Sequence, residues 1–523
     1  SWNPDVAIPT DSSFVVGRLD NGFTYYIKAN RRPEKRAELR LAVNAGSVCE
    51  DDDQRGLAHF VEHMAFNGTA HFQKQELVDY MESIGMRFGP EVNASTGFDE
   101  TLYQLFVPTD SLPVLEKGFL ILEDWAQGVS FEDEAIDKER GVVVEEWRLG
   151  RGANARIRDR QFPVLLHGSK YADRLPIGEK AVIDTFHHET LRRFYRDWYR
   201  PDLMAVIAVG DFDPVEIEAL VRRHFSNLPR PTLSRVRELY AIPDHDETLY
   251  AIASDPEATG ASVSLYVKRP LEAEATLSDF RRSLIEELLD GMMNQRLDEL
   301  TKSADPPFIF GLSGNGRMLR TKSVTLLSAT VEENGIERGL EALLTESRRV
   351  REFGFTQTEL DRQKADLLRL TERAYDEQDK TESSVFTDRA VDRFLEDRAL
   401  PGAAAALRLT RLLLPTILLE DVSGFARGSI TRANRVILAS APKKEGVRIP
   451  TESDIVAVAG RVEAAPLAAY LDRVSDRPLL ETDLPPGRII RTRFFPSIRT
   501  TEWTLSNGTR VVLKPTDFKN DQV

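Results

Sequence analysis

The sequence predicts an α+β protein built from two similar units, with the beginning of a third at its C-terminal end. Three observations carry this expectation. Apolar runs of strand length are interleaved with stretches of helical periodicity along the whole chain. Two Pro-containing passages, Asn227 to Asp246 and Arg477 to Ile498, read as linkers and leave two units of about 220 residues, an ordinary domain size. Residues 19–28 (LDNGFTYYIK) recur as residues 505–514 (LSNGTRVVLK), with Leu, Asn, Gly, an aliphatic residue and Lys at matching offsets. The expected divisions are 1–230, a linker at 231–247, 248–476, a second linker at 477–502, and the first hairpin of a further unit at 503–523. The chain stops where that unit's next strand should start, so the third unit is expected to be incomplete.

The elements follow in order. Ser13 to Val16 and Phe23 to Ala29 read as strands around Asp20-Asn21-Gly22, because Asn-Gly tolerates the positive φ of a tight hairpin. Ala37 to Ala45 alternates apolar and polar residues, as a half-buried strand should. Helical periodicity runs from Gly56 to Phe66 and from Lys74 to Ile84. Thr101 to Val107 reads as a strand, and Asp110 to Gln127 and Asp133 to Leu149 as helices. Met204 to Val209 is a buried strand, followed by a helix that Asp213 caps and Pro214 opens. The second unit shows strands at Leu249 to Ser254 and Ala261 to Lys268, then a long helix at Leu277 to Leu300. Strands at Phe308 to Leu312 and Ser323 to Val331, several helices between Asn334 and Phe394, and a strand at Arg435 to Ser440 complete it.

Composition excludes several function classes. Hydrophobic residues are 41% of the chain, enough for large cores, so wholesale disorder is excluded. Lys plus Arg is 69 against 84 Asp plus Glu, a net charge of −15, and no basic stripe offers a footprint for nucleic acid. No apolar run approaches the ~20 residues of a membrane span. The lone Cys49 rules out an intrachain disulfide and a Cys-built zinc knuckle, and reads as an ordinary reduced thiol. The N-terminal SWNPDVAIPTDSS has no basic region and no apolar core of a signal peptide.

Chemistry is concentrated in Gly56 to Gly68, GLAHFVEHMAFNG, where His59, Glu62 and His63 form H-x-x-E-H. On a helix, positions four apart share a face, so both imidazoles can reach one ion. Glu62 then lies beside the ion, able to hold a water without closing the fourth position. This order is the inverzincin signature. With 8 His in the chain, its chance occurrence is on the order of 0.01. Zinc held by two His needs a third protein ligand. The helix expected at Asp133 to Leu149 offers Glu139, Glu145 and Glu146. Glu139 and Glu146 are seven apart and share a face, whereas Glu145 lies off it. Spacing says that one of this pair ligates and the other supports, without saying which. His71 reads as a neighbour of the site or a surface residue, and the remaining histidines follow no ligand spacing.

HxxEH followed roughly eighty residues later by ERGVVVEEW closely resembles the M16 metallopeptidases, the pitrilysin and insulinase family. RLDNGFTYYIKANRRPEKRAELRLAVNAGS resembles the family's opening hairpin, and LTERAYDEQDKTESSVFTDRAVDRFLEDRALPG resembles its long bacterial members. The resemblance implies two homologous M16-type (LuxS/MPP-like) domains, each a mostly antiparallel sheet packed with helices, with chemistry on the first only. It implies one zinc ion, with Glu146 as third ligand beside His59 and His63, Glu139 as supporting acid and Glu62 as general base. It places Asn93 and Ala94 of EVNASTGFDETLYQL on a strand edge that pairs with the backbone of a peptide substrate. The implied activity is hydrolysis of peptides or unfolded polypeptides. The implied partner is a C-terminal half of the same protein, or a partner subunit, that closes the chamber and supplies an Arg and a Tyr. The implied compartment is the periplasm, reached after removal of a signal peptide. Two other readings remain open: a zinc-binding half with little activity until paired, and a peptide-binding scaffold subunit.

Overall fold

The computed structural model describes residues 2–73, 76–87, 89–230, 234–473, 480, 482 and 485–519. The first half of the chain opens with β1 (Val15–Arg18), β2 (Thr24–Ala29), β3 (Arg36–Val43), α1 (Leu57–Met64), α2 (Glu76–Ser83), β4 (Val92–Thr96) and β5 (Thr101–Pro108). It continues through α3 (Leu112–Gln127), α4 (Asp133–Leu149), α5 (Ala153–Leu165), α6 (Lys180–Thr185), α7 (His188–Trp198), β6 (Met204–Gly210) and α8 (Pro214–Phe225). The second half runs β7 (Leu249–Asp255), β8 (Ala261–Pro270), α9 (Leu277–Thr301), β9 (Phe310–Leu319), β10 (Lys322–Val331) and α10 (Ile336–Phe353). It ends with α11 (Gln357–Asp376), α12 (Ser383–Glu396), α13 (Ala403–Leu413), α14 (Leu419–Ser429), β11 (Arg435–Pro442) and α15 (Glu452–Ala464).

The strand order of the first sheet is β1-β2-β6-β3-β5-β4, antiparallel except for the β2–β6 pair. That of the second is β7-β11-β8-β10-β9, antiparallel except for β7–β11. Leaving out β1, the two orders coincide position by position, and the helices fall in the same places between the strands. The fold is two copies of one α+β domain, each with a mostly antiparallel sheet.

The run Met204 to Gly210 is apolar throughout because both faces of β6 are covered. Val206 and Ala208 join the core under the first domain's own helices. Ala205, Ile207 and Val209 face the other way, onto Ala390, Val391 and Leu395 of α12 from the second domain. The exchange is reciprocal. α5 of the first domain lies across β7 and β11, where Leu165 and Leu166 share a core with Ala251, Val436 and Leu438. Polar contacts fix it there: Arg156 Nε donates to Asp255 Oδ2 at 2.7 Å, and Lys268 Nζ donates to the Leu165 carbonyl at 3.0 Å.

The first expected linker holds no helix or strand among its described residues, while the second needs correction. The segment after α8 is strapped to the first domain. Arg237, 7% exposed at its side chain, donates to Asp99 at 2.7 Å and to the Asn44 carbonyl at 3.0 Å, and Ile242 is buried. Residues 477–502 contain a strand, β12 (Ile489–Phe495), which pairs with β13 (Thr500–Leu505); β14 (Arg510–Leu513) completes a separate three-stranded sheet. The prolines that suggested a linker lie before this strand and directly after it, and Ile489 to Phe495 has the branched and aromatic residues a strand favours. The β13–β14 turn repeats the hydrogen bonds of the β1–β2 turn. Gly22 N donates to the Leu19 carbonyl and Gly508 N to the Leu505 carbonyl, both at 2.9 Å, and Asn21 and Asn507 each accept a backbone N–H two residues on. Both glycines have positive φ, 96° and 85°, as that turn requires.

Smaller differences concern element ends. β1 starts two residues later than expected, and β9 runs on to Leu319 through Gly314-Asn315-Gly316, held by pairing with β10 and by Asn315 N donating to Asp290 at 2.8 Å. Lys74 and Gln75, residues 231–233, most of 474–484 and residues 520–523 fall within expected elements or linkers but lie outside the described residues.

Candidate metal centre

α1 is buried on most of its surface by Leu57, Ala58, Phe60, Val61 and Met64, so its position is set by packing. Its N-terminus is held in two further ways. Gly56 has φ 103° and lies against Gly178, φ 74°; a Cβ added at Gly178 would stand 2.2 Å from Gly56 Cα. Glu50 Oε1 accepts hydrogen bonds from Gly56 N at 3.0 Å and Ala58 N at 2.8 Å, capping the first turn. Nothing in the spacing of the acidic run Glu50 to Asp53 marked Glu50 for this role.

The remaining stripe of α1 faces α4. His59 Nε2 and His63 Nε2 are 3.3 Å apart. Glu146 reaches both, at 3.6 Å from His59 Nε2 and 3.0 Å from His63 Nε2. One donor atom from each residue lies within 4.8 Å of the other two. Zinc bonds of about 2.0–2.2 Å in a tetrahedron require donor separations of roughly 3.3–3.6 Å; the separations of 3.3, 3.6 and 3.0 Å lie in or close to that range, so this constellation fits zinc.

Glu139, one helix-face repeat before Glu146, accepts from His63 Nδ1 at 2.8 Å and from Asn67 Nδ2 at 2.8 Å. That fixes the His63 tautomer, with its proton on Nδ1 and its Nε2 lone pair turned into the centre. Asn67 lies four residues after His63, so the helical spacing that paired the imidazoles could have found it. Glu145 points away and pairs with Arg148 at 2.5 Å.

Glu62 is 9% exposed, and its Oε2 accepts from Thr96 Oγ1 at 2.6 Å. Thr96 lies on β4, the outer strand of the sheet, together with Asn93 and Ala94, which pair inward with Gln104 and Tyr103. One hydrogen bond thus ties the acid of the motif to the open sheet edge. Thr96 stood in the quoted EVNASTGF segment but was not singled out.

The charges are tuned by burial. Desolvation, aided by the neighbouring His63, pushes His59 down to about 4, so its ring is a neutral donor. Burial also presses on His63, but its bond to Glu139 and the charges of Glu139, Glu146 and Glu62 outweigh it and hold its pKa above the usual range. Desolvation raises the Glu62 carboxyl against the opposing pull of Thr96. His71 is not part of the centre: its Nδ1 sits 2.7 Å from buried Asp124. Cys49 is buried, and desolvation keeps its thiol protonated.

Two predictions follow from the seat of α1. Gly178→Ala should lower stability by about 2–4 kcal/mol through backbone clash and positive φ. Gly260→Ala, where an added methyl meets open space, should change it by less than about 0.5 kcal/mol. Denaturant midpoints compare the two. Burial also lifts the Glu50 carboxyl from 4.5 to about 8. The folded state then holds its proton more tightly than the unfolded state does, so from about pH 4.5 to about 8 this group makes stability fall as pH rises. The slope is at most about 1.4 kcal/mol per pH unit, and it vanishes below and above that window. Glu50→Gln should flatten stability against pH across the window; an unchanged slope would put the pH dependence on another group.

In the second domain α9 takes the place of α1, and it contains no histidine. Chemistry on one copy and packing on the other is the pattern of a known protein class. The description "Insulinase (Peptidase family M16)" matches residues 25–153, and "Peptidase M16 inactive domain" matches residues 185–367. The chain belongs to peptidase family M16.

Within the family it is similar to an Arabidopsis thaliana protein named "Zinc protease PQQL-like", 35% identical over 97% of this chain and 50% of the relative. The crystal structure of the periplasmic protease PqqL from Escherichia coli superposes with a TM-score of 0.85 at 28% identity, over 97% of this chain and 56% of that one. The first half of the same PqqL gives a TM-score of 0.83 at 28% identity, over 89% of this chain and all of that one. The chain spans about half the length of the curated relatives it matches.

Proposed function

We propose that the chain is the zinc-bearing half of an endopeptidase that hydrolyses peptides or unfolded polypeptides. The observation that carries this reading is the set of three donors at zinc spacing with a buried carboxyl beside them, hydrogen-bonded to an open strand edge. His59, His63 and Glu146 hold one zinc ion, and Glu139 and Asn67 keep His63 in place. Bound there, zinc supplies a Lewis acid that acidifies water and polarises a carbonyl. Glu62 takes the proton of the attacking water and hands it to the departing amine. The backbone of the substrate adds to β4 at Asn93 and Ala94, which gives affinity with loose sequence preference. Thr96 then keeps Glu62 in register with that backbone.

A further segment of the same protein, or a partner subunit, closes the chamber over the site. The length of the relatives supports this, and also supports a second reading in which this half holds zinc but cleaves little until paired. Export to the periplasm is inferred from the E. coli relative, described as a periplasmic protease. Among the described residues no helix is long and apolar enough to cross a membrane. A zinc assay and cleavage of a quenched fluorescent peptide, with and without the second half, test the reading. One zinc per chain with cleavage, alone or on pairing, supports it. Absence of zinc binding, or of cleavage in both settings, leaves a scaffold.

A further inference from the structure

The second domain holds a cavity of about 520 Å³ that peptide hydrolysis at the metal centre does not use. It opens between α10, α15 and the first residues of β7 and β11. Arg351, Arg432 and Arg435 line it, together with Glu463, the carboxylate that pairs with two of them. Glu463 accepts from Arg351 Nη2 at 3.2 Å and from Arg432 Nη2 at 3.0 Å. Among the described residues Arg435 has no ion-paired carboxylate and its two terminal nitrogens have no protein acceptor; its Nε donates to Thr248 Oγ1 at 2.9 Å. The fourth arginine of the wall, Arg348, shows the contrast: Glu352 at 2.6 Å and the Ala465 carbonyl at 2.8 Å hold it in place. Asp246 and Glu247 reach the cavity too, but neither forms an ion pair with these arginines among the described residues.

Four arginines and three carboxylates line the cavity, and Arg435 is the arginine with no ion-paired carboxylate among the described residues. Burial, with the nearby charges of Arg432 and Arg351, outweighs the favourable pull of Tyr250 and Glu463 and holds the Arg435 guanidinium below its usual range. A half-buried guanidinium whose terminal nitrogens are not hydrogen-bonded to a carboxylate is costly, and its fork is shaped for the planar oxygens of a carboxylate or phosphate. Leu344, Val456 and Tyr250 supply apolar wall beside it, so the cavity has room for an organic body as well as a charged head.

We propose that this cavity binds a small organic oxyanion, a carboxylate or a phosphate ester, with its charged head on Arg435 and its body against Leu344 and Val456. The site is independent of the metal centre and of the peptidase reading.

Isothermal titration of the zinc-loaded chain at fixed ionic strength tests it, with inorganic phosphate and succinate as separate probes. Saturable binding of at least one probe is expected, and which one binds separates the two head groups. Arg435→Gln should weaken it about tenfold, the order of one lost charge-assisted hydrogen bond. Arg432→Gln, at a side chain 61% exposed, should weaken it similarly and serves if the Arg435 variant fails to fold. Arg448→Gln, whose arginine pairs with Glu337 and Asp454 elsewhere, should leave it unchanged. Equal binding in the parent and both cavity variants would move the anion to another place, the metal centre included, and overturn the assignment. No saturable heat with either probe would overturn it as well.

Discussion

Glu62→Gln is expected to abolish peptide hydrolysis while zinc stays bound. The amide has the size and shape of the carboxylate, and its carbonyl oxygen can still accept from Thr96 Oγ1, now 2.6 Å from Glu62. It cannot take up a proton. Loss of a positioned general base costs roughly 10²- to 10⁴-fold in rate. Glu62 is not one of the three donors, so zinc content should remain near one per chain. The position is suited to the task, since burial raises the affinity of this carboxyl for a proton without shutting it off from the centre. Quenched-peptide cleavage, under the conditions in which the parent is active, reads the rate, and a metal assay reads the zinc. Cleavage at the parent rate would assign the base elsewhere.

The second large effect separates two neighbouring glutamates. Glu146→Gln should strip zinc far more readily than Glu145→Gln. Glu146 stands 3.0 Å and 3.6 Å from the two imidazoles, whereas Glu145 is spent on Arg148 at the helix surface. A neutral amide is a poor zinc ligand, and it removes the negative charge that balances the ion. A residue that only supports a ligand costs about 10- to 100-fold in metal affinity, which is the expectation for Glu139→Ala. Loss of the ligand itself should exceed that, and Glu145→Gln should cost nothing measurable. Competition with a chromophoric chelator ranks the three variants. Equal retention in the Glu145 and Glu146 variants would reject the ligand set.

The sequence announced the centre more fully than the frame that holds it. HxxEH fixes both imidazoles and the acid by helical geometry, because all three sit within one turn. Glu139 and Glu146 could be paired by their spacing, but spacing is symmetric, and only the approach of α4 to α1 puts Glu146 on the Nε2 atoms of both imidazoles and Glu139 on His63 Nδ1. Glu50, Thr96 and Gly178 were illegible for another reason. Each acts across a fold contact, Glu50 and Gly178 on the start of α1 and Thr96 across the sheet edge, and none has a periodic or motif signature. The long regular helices and the β6 run emerged from periodicity alone. The helices α5 to α7 did not: α5 contains Pro163 and carries few apolar residues that its own domain buries, whereas α7 places Leu191, Phe194 and Trp198 at helical spacing, a signal the sequence does carry. The second linker reading failed because Pro was taken as absence of structure, and β12 lies between prolines; the first connector, although clamped by the buried Arg237, holds no helix or strand among its described residues.

The exchange of α5 and α12 between the domains has a consequence for synthesis on the ribosome. Strand β6 completes the first sheet at Gly210, yet the helix that covers its outer face ends at Glu396. At 5–20 residues per second, the intervening chain takes on the order of 10–40 s to emerge. Over that interval Ala205, Ile207 and Val209 face water, and α5 has no sheet to rest on. The nascent first domain therefore waits half-dressed, and it becomes a finished body only when the second has been made.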